Sequence, residues 1–279
     1  MMKKHLRSFF YALSPQGRRL FRRFVYFPLD TYLKLRGKNY YNGIELPLPG
    51  EIFTGGGDFL KNGLIFKKYF IKLGKLSKNN DVLDVGSGLG RMAIPLTDFI
   101  NENNRYEGFD VVKTAVIDCQ HRISSKFPNF SFHHASLEND LYTSSGKSAQ
   151  GYSFPFEKNT FDFAWATSVF THMDPGGVMN YLNEARRVIR PGGRFLATFF
   201  LMDHESKKCS LNSKYPFRYK INDTWYMSKK TKGANVAFDS QIILNWAKDA
   251  GWKNTSIYFG RWSGRPEETT DFQDIIVFH

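Results

Sequence analysis

The sequence predicts an α/β fold, a three-layer sandwich on a mostly parallel sheet, from three observations. Beyond residue 80, short apolar runs of strand length alternate with stretches whose apolar residues recur at helical spacing. One glycine-rich turn joins strand to helix: Val82-Leu83-Asp84-Val85 passes through Gly86-Ser87-Gly88-Leu89-Gly90 into Arg91-Met92-Ala93-Ile94-Pro95-Leu96. Proline and glycine punctuate later boundaries, at Pro128, Pro191-Gly192-Gly193 and Gly251. Strands that alternate with helices pair in parallel through right-handed crossovers.

Two units are expected: an extension over 1–54 and a domain over 55–279. Residues 1–40 read as one or two helices, broken near Ser14-Pro15-Gln16-Gly17, and 41–58 as an irregular connector rich in Pro and Gly. Leu60, Leu64, Ile65, Tyr69, Phe70 and Leu73 recur at helical spacing and predict a helix over 59–76. The first strand follows at 81–85 and a helix at about 89–100. A second strand at 105–109 ends in Asp110, and a helix over 114–126 is closed by Pro128. The third strand covers 129–134, a loop 135–160, and the apolar run 161–166 is the fourth strand. A helix over 177–188 stops before Pro191-Gly192-Gly193, read as a turn into the fifth strand, 194–200. A polar insert spans about 202–237. A helix at 240–250 and strands at 254–259 and 274–278 complete the pattern, which has no internal repeat.

A hydrophobic share of 42% over 279 residues supports one large α/β domain with an extension. No run approaches the roughly 20 apolar residues of a membrane span. Cys119 and Cys209 stand far apart without Cys-x-x-Cys, which excludes a disulfide scaffold and a cysteine-rich zinc site and points to a reducing, cytoplasmic compartment. Asp and His residues show no coordinating spacing, so no metal is expected.

The net charge is +13, and the first 50 residues carry +8 of it, ten basic side chains against Asp30 and Glu45. Phe9, Phe10, Tyr11, Phe21, Phe24, Tyr26 and Phe27 interleave with them. Such an arm suits an anionic membrane surface through residues 1–40, or nucleic-acid phosphates, or an organellar leader. It equally suits helices packed on the domain with apolar faces inward and arginines outward. The oligomeric state stays open.

Spacing sorts the ligand of the glycine turn. A dinucleotide fingerprint needs Gly-x-Gly-x-x-Gly, and its third position here is Arg91; the third glycine comes one residue early, at Gly90. Asp84 at the strand end would repel a pyrophosphate and suits a ligand with positive charge. S-adenosylmethionine carries an ammonium and a sulfonium and no phosphate.

Asp84-x-Gly86-x-Gly88-x-Gly90 resembles motif I of the class I S-adenosylmethionine-dependent methyltransferases, in their methyltransferase type 11/12-like domains, and the likeness extends in order over residues 55–279. It implies a seven-stranded sheet of order 3-2-1-4-5-7-6 with strand 7 antiparallel, and S-adenosyl-L-methionine as cofactor. Asp84, Gly86, Ser87, Gly88, Gly90 and Arg91 would form the donor turn. Asp110 would accept the ribose hydroxyls, although a helix N-cap is its plain alternative. Val111, Val112 and Leu137 would wall the adenine. Ser136 stands where the family often has an acid, and backbone groups or Glu138 could replace that contact. Thr167, Ser168 and His172, after the fourth strand, would lie beside the methyl donor.

The segments Phe170-Thr171-His172-Met173 and Trp262-Ser263-Gly264-Arg265, with Gln273-Asp274, resemble bacterial small-molecule or glycan-associated methyltransferases. Trp262, Arg265, Gln273 and Asp274 would line the acceptor pocket, and the 202–237 insert would cover it. Gly55-Gly56-Gly57-Asp58-Phe59 would serve as a lid, with Phe59 as its aromatic plug. An alcohol acceptor needs a base, for which His172 and then Asp274 are the candidates.

Oxygen of a small molecule or glycan is therefore the expected acceptor atom. The nucleobase-amine loop (Asn/Asp)-Pro-Pro-(Tyr/Phe) is absent after the fourth strand, and neither cysteine sits in a nucleophile motif. Two alternatives stand: an RNA methyltransferase using the basic arm, and a membrane-surface protein with a vestigial pocket. The intact Asp84, Gly86, Gly88, Gly90 and Asp110 speak against the latter.

Overall fold

The computed structural model describes residue 13 and residues 15–37, 39–53, 55–137, 148–227 and 235–279. A 22-residue helix, α1 (Pro15–Arg36), leads into a two-residue hairpin, β1 (Tyr40–Tyr41) and β2 (Ile44–Glu45). Helix α2 (Phe59–Lys72) starts at Asp58, whose carboxylate accepts the Lys61 N–H at 2.7 Å and caps a helix end that would otherwise leave donors unpaired. Strand β3 (Val82–Val85), the short helix α3 (Ala93–Leu96), β4 (Tyr106–Asp110), α4 (Lys113–Cys119) and β5 (Phe130–His134) form the first half of the domain. The second half comprises β6 (Phe161–Ala166), α5 (Pro175–Val188), β7 (Ile189–Phe199), β8 (Leu201–Met202), α6 (His204–Cys209), β9 (Tyr219–Ile221), β10 (Thr224–Tyr226), β11 (Val236–Asp239), α7 (Ser240–Asp249), β12 (Thr255–Tyr258) and β13 (Asp274–Phe278). Asp174 and Asp239 cap α5 and α7 in the same way as Asp58 caps α2.

The main sheet runs β5-β4-β3-β6-β7-β13-β12. Every pair is parallel except those of β13, which is antiparallel to both β7 and β12. This is the expected seven-strand order with its one reversed strand. The two sheet faces are covered separately, which makes the three layers. Leu83, Val85, Phe195 and Phe199 pack with Leu182 of α5 and Ile243 of α7. Val82, Tyr106 and Trp165 pack with Phe70 of α2 and Ile94 of α3, and the Phe70 and Trp165 rings stack at 4.5 Å. Parallel strands covered on both faces are apolar almost throughout, which is why they stood out in the sequence.

Local structure departs from the expected elements where side chains or sterics compete. The helix expected over 89–100 shrinks to α3, because the Thr97 hydroxyl donates to the Ile94 carbonyl at 2.8 Å and Pro95 has no N–H to give. The helix expected over 114–126 ends as α4 and continues as a π-type turn, Gln120–Ser124. Pro191-Gly192-Gly193 is not a turn before a strand but an irregularity within β7, where the register against β6 shifts and Gly192 takes φ +82°. The 202–237 insert builds a second, four-stranded sheet, β8-β11-β10-β9, over its own core of Phe200, Met202, Phe217, Ala237 and Trp262.

The N-terminal helix does not pack its apolar stripe on the domain. Leu20, Phe24, Phe27 and Leu35 lie on its outer face, 67 to 83% exposed, at the i, i+4, i+7 spacing of one stripe. Arg18, Arg19 and Arg22 turn inward and are half-buried. The inner face is polar because it meets loop backbone instead of core. Arg18 Nε donates to the Leu13 carbonyl and Arg22 Nε to that of Pro49, while Asp30 accepts the Gly50 N–H.

Helix α2 approaches the glycine-rich turn so closely that Gly63 admits no side chain. A Cβ there would lie 2.3 Å from the Arg91 carbonyl oxygen and 2.8 Å from Pro95 Cγ. Gly63→Ala will therefore lower stability by about 2 kcal/mol in urea unfolding, although alanine is the better helix former; an unchanged midpoint would refute this packing.

Candidate active site

The chain from β3 into the turn is set by three left-handed glycines: Gly86 at φ +81°, Gly88 at +53° and Gly90 at +76°. Side chains avoid this region, and two of the positions also lack room for one. A Cβ on Gly86 would meet Val169 Cγ2 at 2.5 Å, and one on Gly90 would meet Ile123 Cδ1 at 2.5 Å. The N–H groups of Gly86 and Ser87 donate to the Phe109 carbonyl at 2.9 and 3.0 Å. Asp110, at the end of β4, closes the arrangement: Oδ2 accepts the Gly88 N–H and Oδ1 the Val112 N–H, both at 2.8 Å. Burial pushes its pKa up, and these backbone donors pull against that.

A cavity of about 760 Å³ opens beyond the carboxyl ends of the parallel strands, where β3 and β6 lead off in opposite directions. Such a reversal is where open α/β sheets take ligands. Gly86, Ser87, Gly88, Arg91, Asp110, Val111, Val112 and Leu137 line one end. The Ser87 hydroxyl there is buried with no hydrogen-bond partner. Thr167, Ser168, Val169, His172, Met173 and Tyr181 line the middle. Ser168 sits at φ +59°, held by its N–H on Thr198 Oγ1 at 2.7 Å and by its hydroxyl donating to Gln273 Oε1 at 2.9 Å. A non-glycine residue held in this region stores strain, a frequent mark of functional loops. A carboxylate with lone pairs to spare, apolar walls and close backbone suit a nucleoside: hydroxyls on the first, a base between the second.

Several expected site residues lie elsewhere. Asp84 does not reach the cavity. Strand side chains alternate, so Leu83 and Val85 point to one sheet face and Asp84 to the other. There it is fully buried, and Oδ2 accepts the Tyr106 hydroxyl at 2.5 Å. Gly90 packs against the helix layer and does not line the cavity, and Ser136 points to solvent. Phe59 is buried in the α2 packing with the Arg91 guanidinium 5.1 Å from its ring, whereas its neighbours Phe53 and Phe66 are among the aromatic residues that line the cavity. Asp274 is not placed to act as a base. Oδ1 accepts the Gly260 N–H, and Oδ2 accepts the Leu201 N–H and the Trp262 indole N–H, all within 2.7 Å. Trp262 is buried in that anchor, and Arg265 makes a two-bond contact to Asp203 under the Phe259 ring. Gln273 does line the cavity, as do Gly55, Gly56 and Gly57. Glu138 falls outside the described residues.

The far wall of the cavity has no motif in the sequence. Arg18, Arg19 and Arg22 of α1 line the cavity with Lys214, Tyr215 and Asn235 of the insert and Arg261 and Asp271 before β13. The basic composition of the arm was visible, but only the three-dimensional packing shows which of its residues turn inward.

Residues 82–193 match the family model described as a methyltransferase domain. Among solved structures, the PH0226 protein of Pyrococcus horikoshii resembles this chain with a TM-score of 0.56 at 15% identity, over 81% of this chain and 92% of that one. A SAM-dependent methyltransferase of Methanosarcina mazei gives 0.48 at 17% identity, over 77% of this chain and 94% of its own. The first of these likenesses shows a common fold.

The buried Asp84 makes stability depend on pH. Burial raises its pKa from 3.8 to about 7, with the negative Asp110 adding and the Tyr106 hydroxyl and Trp165 indole opposing. The folded chain thus keeps a proton that the unfolded chain releases, so this group lowers stability as pH rises from 3.8 to about 7. Asp84→Asn keeps the acceptor for Tyr106 and has no proton to lose. Its Tm should exceed that of the unaltered chain by about 3 °C or more at pH 8 and converge with it at acid pH; parallel curves would contradict the assignment.

Proposed function

We propose, from the match of residues 82–193 to a methyltransferase domain, that the chain is a class I S-adenosylmethionine-dependent methyltransferase and that it methylates an oxygen of a small-molecule or glycan-type acceptor. One observation carries the donor end of this reading: the carboxylate of Asp110, tied to the Gly88 and Val112 N–H groups, closes a nucleoside-sized end of the cavity that the glycine cradle and Ser87 line. Asp110 would hold the ribose hydroxyls, Val111, Val112 and Leu137 the adenine, and the turn backbone with Ser87 the amino-acid portion. S-adenosylmethionine, when bound, supplies a methyl carbon activated by its sulfonium for in-line displacement.

The chain's own residues have three tasks. The strained Ser168 loop, tied to Thr198 and Gln273, fixes the cavity floor where the acceptor oxygen would approach. His172 lines the cavity on a single helical turn, Phe170–His172, and would take the proton of an alcohol as it attacks. Phe200 and Tyr215, with α1 across the open edge, would keep water from the reacting groups.

Isothermal titration should show binding of S-adenosylmethionine and S-adenosylhomocysteine and none of NAD. Asp110→Ala should weaken the homocysteine product by about tenfold or more. Once a panel of hydroxylated acceptors scored by S-adenosylhomocysteine release identifies a substrate, His172→Gln should cut kcat by about 10²-fold or more with product affinity unchanged. NAD binding in place of the sulfonium ligands would end this reading.

The outer face of α1 favours a second property, attachment to an anionic membrane surface. No described helix is long and apolar enough to cross a membrane. The stripe of Leu20, Phe24, Phe27 and Leu35 is flanked by exposed Arg23, Lys34 and Arg36, the composition of an interfacial helix. The full chain should sediment with vesicles containing phosphatidylserine but not with neutral ones, and Phe24→Glu with Phe27→Glu should release it. Equal partition to both vesicle types would refute the electrostatic part.

A further inference from the structure

The cavity is far more cationic than its donor needs. Arg18, Arg19, Arg22, Arg91, Lys214 and Arg261 line it, against the carboxylates of Asp110 and Asp271 among the described residues. Asp110 has both oxygens on backbone N–H groups, and Asp271 lies beside Arg261. S-adenosylmethionine itself bears a net positive charge, its sulfonium and ammonium outweighing one carboxylate. A wall of arginines therefore disfavours the donor, and the contacts of Arg19 and Arg22 among the described residues include no counter-charge.

Three of these cations come from one helix face. Arg18, Arg19 and Arg22 stand at i, i+1 and i+4, on the side of α1 that faces the cavity. Arg22 is held in place by its Nε on the Pro49 carbonyl and its guanidinium 4.7 Å from the Tyr26 ring, and the Arg19 guanidinium is 6.0 Å from the Phe53 ring. Neither Arg19 nor Arg22 has a carboxylate partner among the described residues. The ring faces hold these guanidinium groups but supply no counter-charge, and the planar donor forks left over match a planar or tetrahedral oxyanion.

We propose that the methyl acceptor carries an oxyanion group, phosphate or carboxylate, and that Arg18, Arg19 and Arg22 of α1 receive it across the cavity from the donor turn. This rests on the methyltransferase reading above and adds the charge of the acceptor to it. The helix then selects substrate: a neutral sugar or alcohol of the same size loses the charge-assisted hydrogen bonds that orient its hydroxyl toward His172.

The full chain saturated with S-adenosylhomocysteine provides the test, with inorganic phosphate and acetate as probes read by ³¹P line width and by ¹H saturation transfer. At least one probe should bind, and Arg19→Gln with Arg22→Gln should weaken it by about tenfold. Arg19→Lys with Arg22→Lys should retain much of the binding, and S-adenosylhomocysteine affinity should stay within about twofold in every variant. Preference for phosphate assigns a phosphorylated acceptor, and preference for acetate a carboxylated one. Failure of both probes on the unaltered chain overturns the proposal, as does undiminished binding by the glutamine pair. A parallel loss of S-adenosylhomocysteine affinity in that pair would also overturn it, by moving the arginines to the donor site. An unaltered chain that does not bind S-adenosylhomocysteine at all would instead bring down the methyltransferase reading beneath it.

Discussion

One buried carboxylate ties the functional end of this molecule together. Asp110 accepts the Gly88 and Val112 N–H groups and so locks the turn after β3 to the end of β4. The three left-handed glycines supply the backbone path that brings Gly88 within reach. Without that clamp, the turn would leave buried donors unpaired, and the mouth between β3 and β6 would lose its shape. The helix layer on one face of the sheet packs against the same turn: Gly63 of α2 presses on Arg91, and Ile123 and Cys119 fill the space that Gly90 leaves open.

Much of this was legible in the chain. The parallel strands are buried on both faces, so their apolar runs are continuous and the limits of β3 to β6 fall within a residue or two of the expected ones, as at β3 and β6. The glycine turn was legible because its spacing and positive φ demand one residue type. Helix limits were less so, since Thr97 and Pro95 shorten one helix by local hydrogen bonding that periodicity does not register.

Direction was the hardest property to read. Asp84, Asp110 and Asp274 are all buried acids at strand ends, yet only Asp110 opens to the cavity. Asp84 is turned away by strand alternation, and Asp274 is consumed by two backbone N–H groups and an indole. These outcomes depend on which neighbour arrives from a distant segment. The inward arginines of α1 illustrate the same limit. A helix with a clear apolar stripe is expected to bury it, but here the inner surface is loop backbone rich in carbonyls, and guanidinium groups satisfy that surface better than hydrocarbon does.

The reversed strand carries a consequence for how the chain assembles. β12 has no sheet partner except β13, and β13 reaches the sheet only by pairing with β7, from Phe199 opposite Asp274 to Phe195 opposite Phe278. The whole second sheet and α7 lie between those partners in the chain. Closing so long a loop is entropically expensive before its contacts repay it. The parallel strands β3 to β7 can therefore condense first, and the edge made by β13 and β12 zips on late, leaving β7 a temporary exposed border during folding.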